Sequence, residues 1–523
     1  MQDDVTIYDR VFYPGQPYRY THPDRMASIA TLYGLDPAHS ERCRVLELGC
    51  GDGSNLIPMA SELPGSEFVG VDLAGSAVAK GRVIISALGL RNITLGQLDL
   101  LEFPSDRGLF DYIVAHGIYS WVPPAVRDTV LAICRAHLTP HGVACVSYNT
   151  QPAGHLRTMI REMMLFHAGT FQDPGERIAQ AEAFLAFLAG SRTEADTYGA
   201  LLQEELDRIR QRDPAVWFHD DLSDVNHPVY FTHFVERARA FGLQYLADAD
   251  PGATGAHRLS PAAKAWLAPH LEDGRRVERE QVVDFLVCRG FRRSLICREE
   301  HALGRPTASQ VPRFYLTGHI TRSSPASDIR SDEPMTFSTP TGTQISTNIP
   351  LPKATLTALG ELWPEAVAFE DLLAIVGAQV PVNTNEGERV PQRTALCDLV
   401  WESYEAGIVN LLVGQPRLVR TPGDYPEASA LARFQARSQT TVTNLLHTSV
   451  RMDESARQFV VLLDGTRDRA ALKKELRILA AVGDAPALRA GAKEDASEDT
   501  NGDLAERLEE QLSRLGKAAL LVR

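Results

Sequence analysis

Between Val45 and Tyr119 the chain carries acids and glycines whose spacing suits the binding of an adenosyl-linked amino acid. Glu47-Leu48-Gly49-Cys50-Gly51-Asp52-Gly53 reads ExGxGxG. Glycines there let the backbone turn tightly and let a ligand approach with no Cβ in the way. A dinucleotide fingerprint would read GxGxxG and put a pyrophosphate at a helix N-terminus. The spacing found suits the zwitterionic end of S-adenosylmethionine, whose ammonium needs carbonyls and a carboxylate. Glu47 is the expected carboxylate, with Gly49, Cys50 and Gly51 forming the loop. Asp72 follows Gly51 by twenty-one residues, where an acid accepts from both ribose hydroxyls. Asp99 is placed to accept from the adenine amino group, and Leu73 and Leu100 to sandwich the ring. Each signal is weak alone, because an Asp after a strand often caps a helix. Together, at consecutive strand ends, they converge on one crevice. The alternative is a sheet that binds NAD or nothing.

A sulfonium ligand supports in-line methyl displacement, in which positioning and desolvation of the nucleophile supply most of the acceleration. The nucleophile must first lose its proton, and tyrosines or carbonyls can then orient its lone pair. His116-Gly117-Ile118-Tyr119-Ser120-Trp121 and Ser147-Tyr148-Asn149 end two successive strands. Aromatic faces attract a sulfonium or an alkylammonium, so Tyr119, Tyr148, Asn149 and Trp121 are the expected catalytic group, with His116 beside the cofactor. Core packing is the alternative for Trp121. Tyr13, Tyr18, Tyr20 and His22 form either a lid over the cofactor or a surface arm. His219, His227 and His233 lie close in sequence, but none stands at i, i+4 with an acid, and no metal is expected.

The elements that must position these residues read as α/β. Short apolar strands alternate with helices of 10–15 residues from RVLELGC to GVACVSYN, which signals a parallel sheet with right-handed crossovers. Residues 1–153 form the expected Rossmann-like core, 154–241 a helical insertion, and 242–300 the last two strands, for seven in all. Residues 301–427 would hold an irregular connector and a winged-helix-like unit with a hairpin around Gly414-Gln415-Pro416. Residues 428–523 would form a C-terminal α+β domain, with a polar linker from Gly491 to Gly502 and a terminal amphipathic helix.

Bulk properties bound the function. At 523 residues the chain exceeds one hydrophobic core. A net charge of −14 argues against a broad phosphate-binding surface. Between Leu351 and Arg420, five Lys or Arg face nine Asp or Glu, so that unit repels DNA and a cofactor-sensing regulator is disfavoured. Seven scattered cysteines without a CxxC pair fit reduced thiols in the cytoplasm. The N-terminus lacks a signal-peptide pattern, and no run is long and apolar enough to span a membrane.

Several runs carry a family likeness: Tyr20-Thr21-His22-Pro23-Asp24-Arg25, the ELGCGDGSNLIPMA loop, GIYSWVP (117–123), SYNTQPAG (147–154), NHPVYFTHF (226–234), EQVVDFLVCRGFRRSLIC (280–297) and LDGTRDRAALKKEL (463–476). In this order they resemble the bacterial protein-lysine methyltransferases that carry a methyltransferase regulatory domain, including those acting on outer-membrane proteins. The resemblance implies a class I fold, S-adenosyl-L-methionine as cofactor and lysine of a protein as acceptor. It also implies a homodimer formed through the helical insertion, and a deep cleft lined by the middle and C-terminal domains. A methyltransferase for a small metabolite or lipid is the rival reading.

Overall fold

Five apolar segments become the parallel strands β1 (Arg44–Leu48), β2 (Glu67–Asp72), β3 (Ile93–Gln97), β4 (Phe110–Ala115) and β5 (Leu138–Asn149), of which the edge strand β3 leaves Thr94 and Gln97 exposed. The computed structural model describes residues 7–191, 196–254, 259–268, 275–323, 328–380, 386–482 and 500–522. Two later strands, β6 (Leu243–Asp248) and β7 (Phe291–Arg298), complete a seven-stranded sheet of order β3-β2-β1-β4-β5-β7-β6. β7 runs antiparallel to both its neighbours. The chain winds outward from β1 to β3 and returns to add β4 on the other side of β1. Strand order therefore reverses at β1, and a crevice opens at the carboxyl ends of β1 and β4.

Side chains alternate along each strand, so the sheet feeds two cores. Val45, Tyr112, Val114 and Cys145 enter one, and Leu46, Ile113, Ala144 and Val146 the other. β7 is fixed by Arg292, which is fully buried. Its Nε and Nη2 each lie 2.7 Å from the carboxylate of Asp284, on the helix Arg276–Leu286, and its guanidinium sits 3.8 Å over the Phe231 ring. Removing either partner of such a buried pair costs about 3–5 kcal/mol. The pair sets the position of Phe291 and Arg293 on either side of it.

Between β5 and β6 the described residues are helical, with the helices Ala153–Ala168, Pro174–Gly190, Thr197–Arg210, Pro214–Asp221 and Phe231–Ala240. The first four bury a core of their own around Leu185, Leu206 and Trp217.

The segment after residue 300 departs from the expected irregular connector. It forms β8 (Tyr315–Thr317), β9 (Thr321–Arg322), β10 (Met335–Ser338) and β11 (Gln344–Thr347). The reason is a period of two within a Ser/Thr-rich stretch: Met335 and Phe337 point inward while Thr336 and Ser338 do not. Next come the helix Pro350–Leu362, β12 (Val367–Ala368), the helices Phe369–Gln379 and Glu386–Glu405, and β13 (Asn410–Leu412). The hairpin expected around Gly414 does not form, because β13 pairs with β8, in the sheet β12-β8-β13. The C-terminal unit holds the helix Ala430–Ala436, a hairpin of β14 (Thr441–Thr443) and β15 (Ser449–Arg451), and the helices Glu454–Leu462, Arg469–Val482 and Thr500–Lys517. Of the expected polar linker, residues 491–499 lie outside the described residues. Among the described residues, no helix is long and apolar enough to cross a membrane.

Candidate active site

The loop from β1 to the helix Leu56–Glu62 is bent at Gly49, Gly51 and Gly53, whose φ values are +75°, +53° and +74°. Side chains rarely adopt that region. A Cβ on Gly49 would lie 2.3 Å from Ile118 Cγ2, and one on Gly53 2.9 Å from Leu95 Cδ1. One on Gly51 would meet nothing within 4 Å. Two glycines thus let the protein close on itself, and the third faces open space against which a ligand can lie. Cys50 contributes only backbone there, since its thiol packs into the core against Gly70 and burial pushes it well up.

Glu47 ends β1 almost fully buried. Its Oε1 accepts from Asn55 Nδ2 at 2.8 Å, while Oε2 is buried with no partner. Burial, with the nearby Asp72 and Asp52 adding to it against the Asn55 bond, pushes the Glu47 carboxyl up to about 8. An ammonium set against Oε2 would satisfy the orphaned oxygen and restore its charge. Asp72 turns back on the loop: Oδ2 accepts from Gly51 N at 2.7 Å and Oδ1 from Ala74 N at 2.8 Å. A carboxylate has about four acceptor positions, so capacity remains for ribose hydroxyls. Asp99 Oδ1 accepts from Leu101 N at 2.9 Å and caps the short turn Leu100–Glu102. Leu73 is exposed, and Leu100 packs at the edge of the second core. Glu47 and Asp72 thus fit the ammonium and the ribose of S-adenosylmethionine, whereas Asp99 serves as a turn cap.

His116, at the end of β4, is the centre of an aromatic cluster. The Tyr18 ring lies 3.9 Å from it, the Tyr20 ring 5.4 Å and the Phe291 ring 6.0 Å. Tyr20 Oη is 3.1 Å from His116 Nε2, and Arg293 stands 4.6 Å from the Tyr20 ring. Burial, then the charge of Arg293, pushes His116 down to about 3, so its imidazole is neutral. Tyr18 N donates to Asn55 Oδ1 at 2.9 Å, which ties the N-terminal segment to the glycine loop. Tyr13 packs 5.7 Å from the His219 ring instead. His22 caps the helix Pro23–Leu32 and turns toward Glu62, 3.8 Å away, rather than toward His116.

Tyr119 and Tyr148, expected to face the crevice, are in the second core. Tyr148 is fully buried, stacks on Phe234 at 4.2 Å and shares a 2.9 Å hydrogen bond with Ser294 Oγ. Tyr119 meets Phe234 edge-on at 5.4 Å. Strand alternation explains this, since Tyr148 points the same way as Ala144 and Val146. Trp121 donates from Nε1 to Asp220 O, and Asn149 from Nδ2 to Asn226 Oδ1. These two line a cavity of about 300 Å³ shared with the helical insertion, with Arg157, Arg212 and Phe291 on its walls. A second cavity, of about 420 Å³, opens where Asp24 of the core, Gly414 of the middle unit and Leu445 of the C-terminal unit meet. Sequence reasoning missed Asn55, although it directly follows the glycine loop. It also missed His447, which reaches Asn55 from 392 positions away and carries no local signal.

Three family models match the chain. A methyltransferase domain covers residues 45–142, a predicted methyltransferase regulatory domain 213–298, and the PKMT C-terminal winged helix domain 424–520. The last corresponds to the unit with the β14–β15 hairpin, not to the middle unit. The uncharacterized protein RP028 of Rickettsia prowazekii is 36% identical over 44% of this chain and 93% of its own length. RP789 of the same organism, also uncharacterized, is 28% identical over 99% of this chain and 94% of its own. The solved structure of PKMT2 from Rickettsia typhi in complex with AdoHcy matches with a TM-score of 0.85 at 27% identity, covering 98% of this chain and 100% of that one.

Proposed function

We propose that this S-adenosylmethionine-dependent methyltransferase, which joins a methyltransferase regulatory domain to a PKMT winged helix, takes as its acceptor a lysine side chain of a protein. The observation that carries this reading is the ring cluster of Tyr18, Tyr20, His116 and Phe291 at the end of β4, beside the Glu47 loop. Such faces receive an alkylammonium.

S-adenosylmethionine supplies an electrophilic methyl on a sulfonium. Glu47 Oε2 would hold the ligand's ammonium, the open face of Gly51 would let it lie against backbone, and Asp72 would take the ribose. Tyr18 and Tyr20 close over His116 and exclude water. A lysine brought among these rings loses hydration, which disfavours its charged form, so its ammonium would release a proton to solvent on entry and leave the neutral amine that attacks. The neutral His116 adds no positive charge to oppose the approach. The acceptor protein we favour is an outer-membrane protein.

Incubation with methyl-labelled cofactor, candidate envelope proteins and small-molecule extracts, followed by mass spectrometry, tests this. Label on lysine of an envelope protein, absent with the Asp72→Ala variant, is expected. Label confined to the small-molecule fraction would move the assignment to a metabolite or lipid.

A further inference from the structure

The hairpin β14–β15 of the C-terminal unit ends in a loop that is held in shape from within. Asn444 Oδ1 accepts from Leu446 N, Thr448 N and Thr448 Oγ1, and its Nδ2 donates to Ala518 O at 2.9 Å. Leu445 N donates to Ala519 O at 2.9 Å. At the tip stands His447, with φ of +55° and a side chain buried against the catalytic core. That backbone conformation is unfavourable for a residue with a Cβ and persists only where the surroundings impose it.

His447 Nε2 lies 2.9 Å from Asn55 Oδ1. The orientation of the Asn55 amide follows from its other partners. Tyr18 N can only donate, so the atom 2.9 Å from it is the oxygen. The nitrogen therefore faces Glu47 Oε1 at 2.8 Å and Thr21 Oγ1 at 3.0 Å. His447 must then carry its proton on Nε2, since the oxygen it meets only accepts. Burial holds that imidazole neutral, and Nδ1 is buried with no partner. The bonds run in one direction: His447 donates to Asn55, Asn55 donates to Glu47, and Glu47 is left with Oε2 bare.

We propose that His447 is a positioning residue of the cofactor site: through Asn55 it fixes Glu47 so that Oε2 meets the ligand's ammonium, and it makes cofactor affinity depend on the seating of the C-terminal unit. The S-adenosylmethionine site is the premise, and its own test is binding to the unaltered protein.

The experiment is calorimetric titration of the full chain with S-adenosylhomocysteine. His447→Leu keeps the volume without the donor, and is used beside His447→Ala in case the latter folds poorly. Both are expected to weaken binding tenfold or more. His447→Gln, whose amide can donate to Asn55, recovers most of the loss. In a Glu47→Gln background, His447→Leu changes the Kd less than twofold, because the group it orients is gone. A Kd for His447→Leu within twofold of the parent, a His447→Gln no better than His447→Leu, or losses that multiply in the double variant would overturn the proposal.

Discussion

Asp72 Oδ2 lies 2.7 Å from the backbone nitrogen of Gly51, so a side chain from the second strand clasps the loop that leaves the first. The same carboxylate takes Ala74 N through Oδ1. Hydrogen bonds to a charged acceptor contribute about 1.5–3 kcal/mol each. Asp72→Ala removes both and any ribose contact, and is expected to weaken S-adenosylhomocysteine binding by about 100-fold or more. Asp72→Asn keeps one acceptor, and an intermediate loss of about tenfold is expected. Calorimetry decides, and a Kd for the alanine variant within threefold of the parent would show that Asp72 serves the fold alone.

The glycines of the loop separate folding from binding. At Gly49 both the positive φ and the 2.3 Å approach to Ile118 oppose a side chain. Gly49→Ala is therefore expected to lower stability and binding together. At Gly51 the Cβ meets nothing, so Gly51→Ala carries only the left-handed backbone cost of about 1–2 kcal/mol. Its Cβ nonetheless occupies the space assigned to the ligand. Denaturant unfolding and calorimetry should show Gly51→Ala with a modest stability loss and a disproportionate loss of binding. Equal effects at the two positions would remove the argument that Gly51 faces a ligand.

How far the sequence predicts this site depends on the range of each interaction. The sheet and its crevice are readable because each strand announces itself within five to twelve residues, and ExGxGxG is a local pattern. The burial of Tyr119 and Tyr148 is less so: alternation from Ala144 to Tyr148 carries the clue for Tyr148, while Tyr119 lies in the loop after β4, where no periodicity gives its face. The strands β9 to β11 were obscured by Ser and Thr, whose β propensity competes with their frequency in loops. His447 depends on a tertiary contact spanning most of the chain, for which one sequence offers no signal.

Tyr148 and Tyr18 should respond oppositely to substitution. Tyr148 spends its hydroxyl on Ser294 inside the core. Tyr148→Phe is expected to cost about 1 kcal/mol of stability, with turnover within twofold of the parent. Tyr18 stands 3.9 Å from His116 in the ring cluster. Tyr18→Ala is expected to reduce turnover by at least about tenfold in protein that remains folded, the ring's contribution being to cation attraction and water exclusion. Unfolding curves and methylation rates measured side by side check both. A Tyr148→Phe variant that folds normally and fails to turn over would return that residue to the catalytic group.

Cofactor affinity should depend on pH through Glu47. Its carboxyl is pushed up to about 8, chiefly by burial, from an ordinary value of 4.5. Below about 8 the ligand-free protein therefore keeps this proton, whereas the ligand's ammonium requires the anion. Binding must release about one proton per site in that range, and the association constant should rise about tenfold per pH unit between 6 and 7.5. Above about 8 the gain stops, and the ligand's α-amino group begins to lose its own proton. The stability of the ligand-free protein runs the opposite way. Between 4.5 and about 8 the ligand-free fold holds a proton that the unfolded chain has released, so its stability falls as pH rises, and ligand reverses the trend. Titration with S-adenosylhomocysteine in two buffers of different ionisation heat counts the released proton directly. Glu47→Gln should bind weakly, with no such release. A parent protein that binds with no proton exchanged between pH 6 and 7.5 would mean that Glu47 is already ionised in its pocket, and that the ammonium meets it without this linkage.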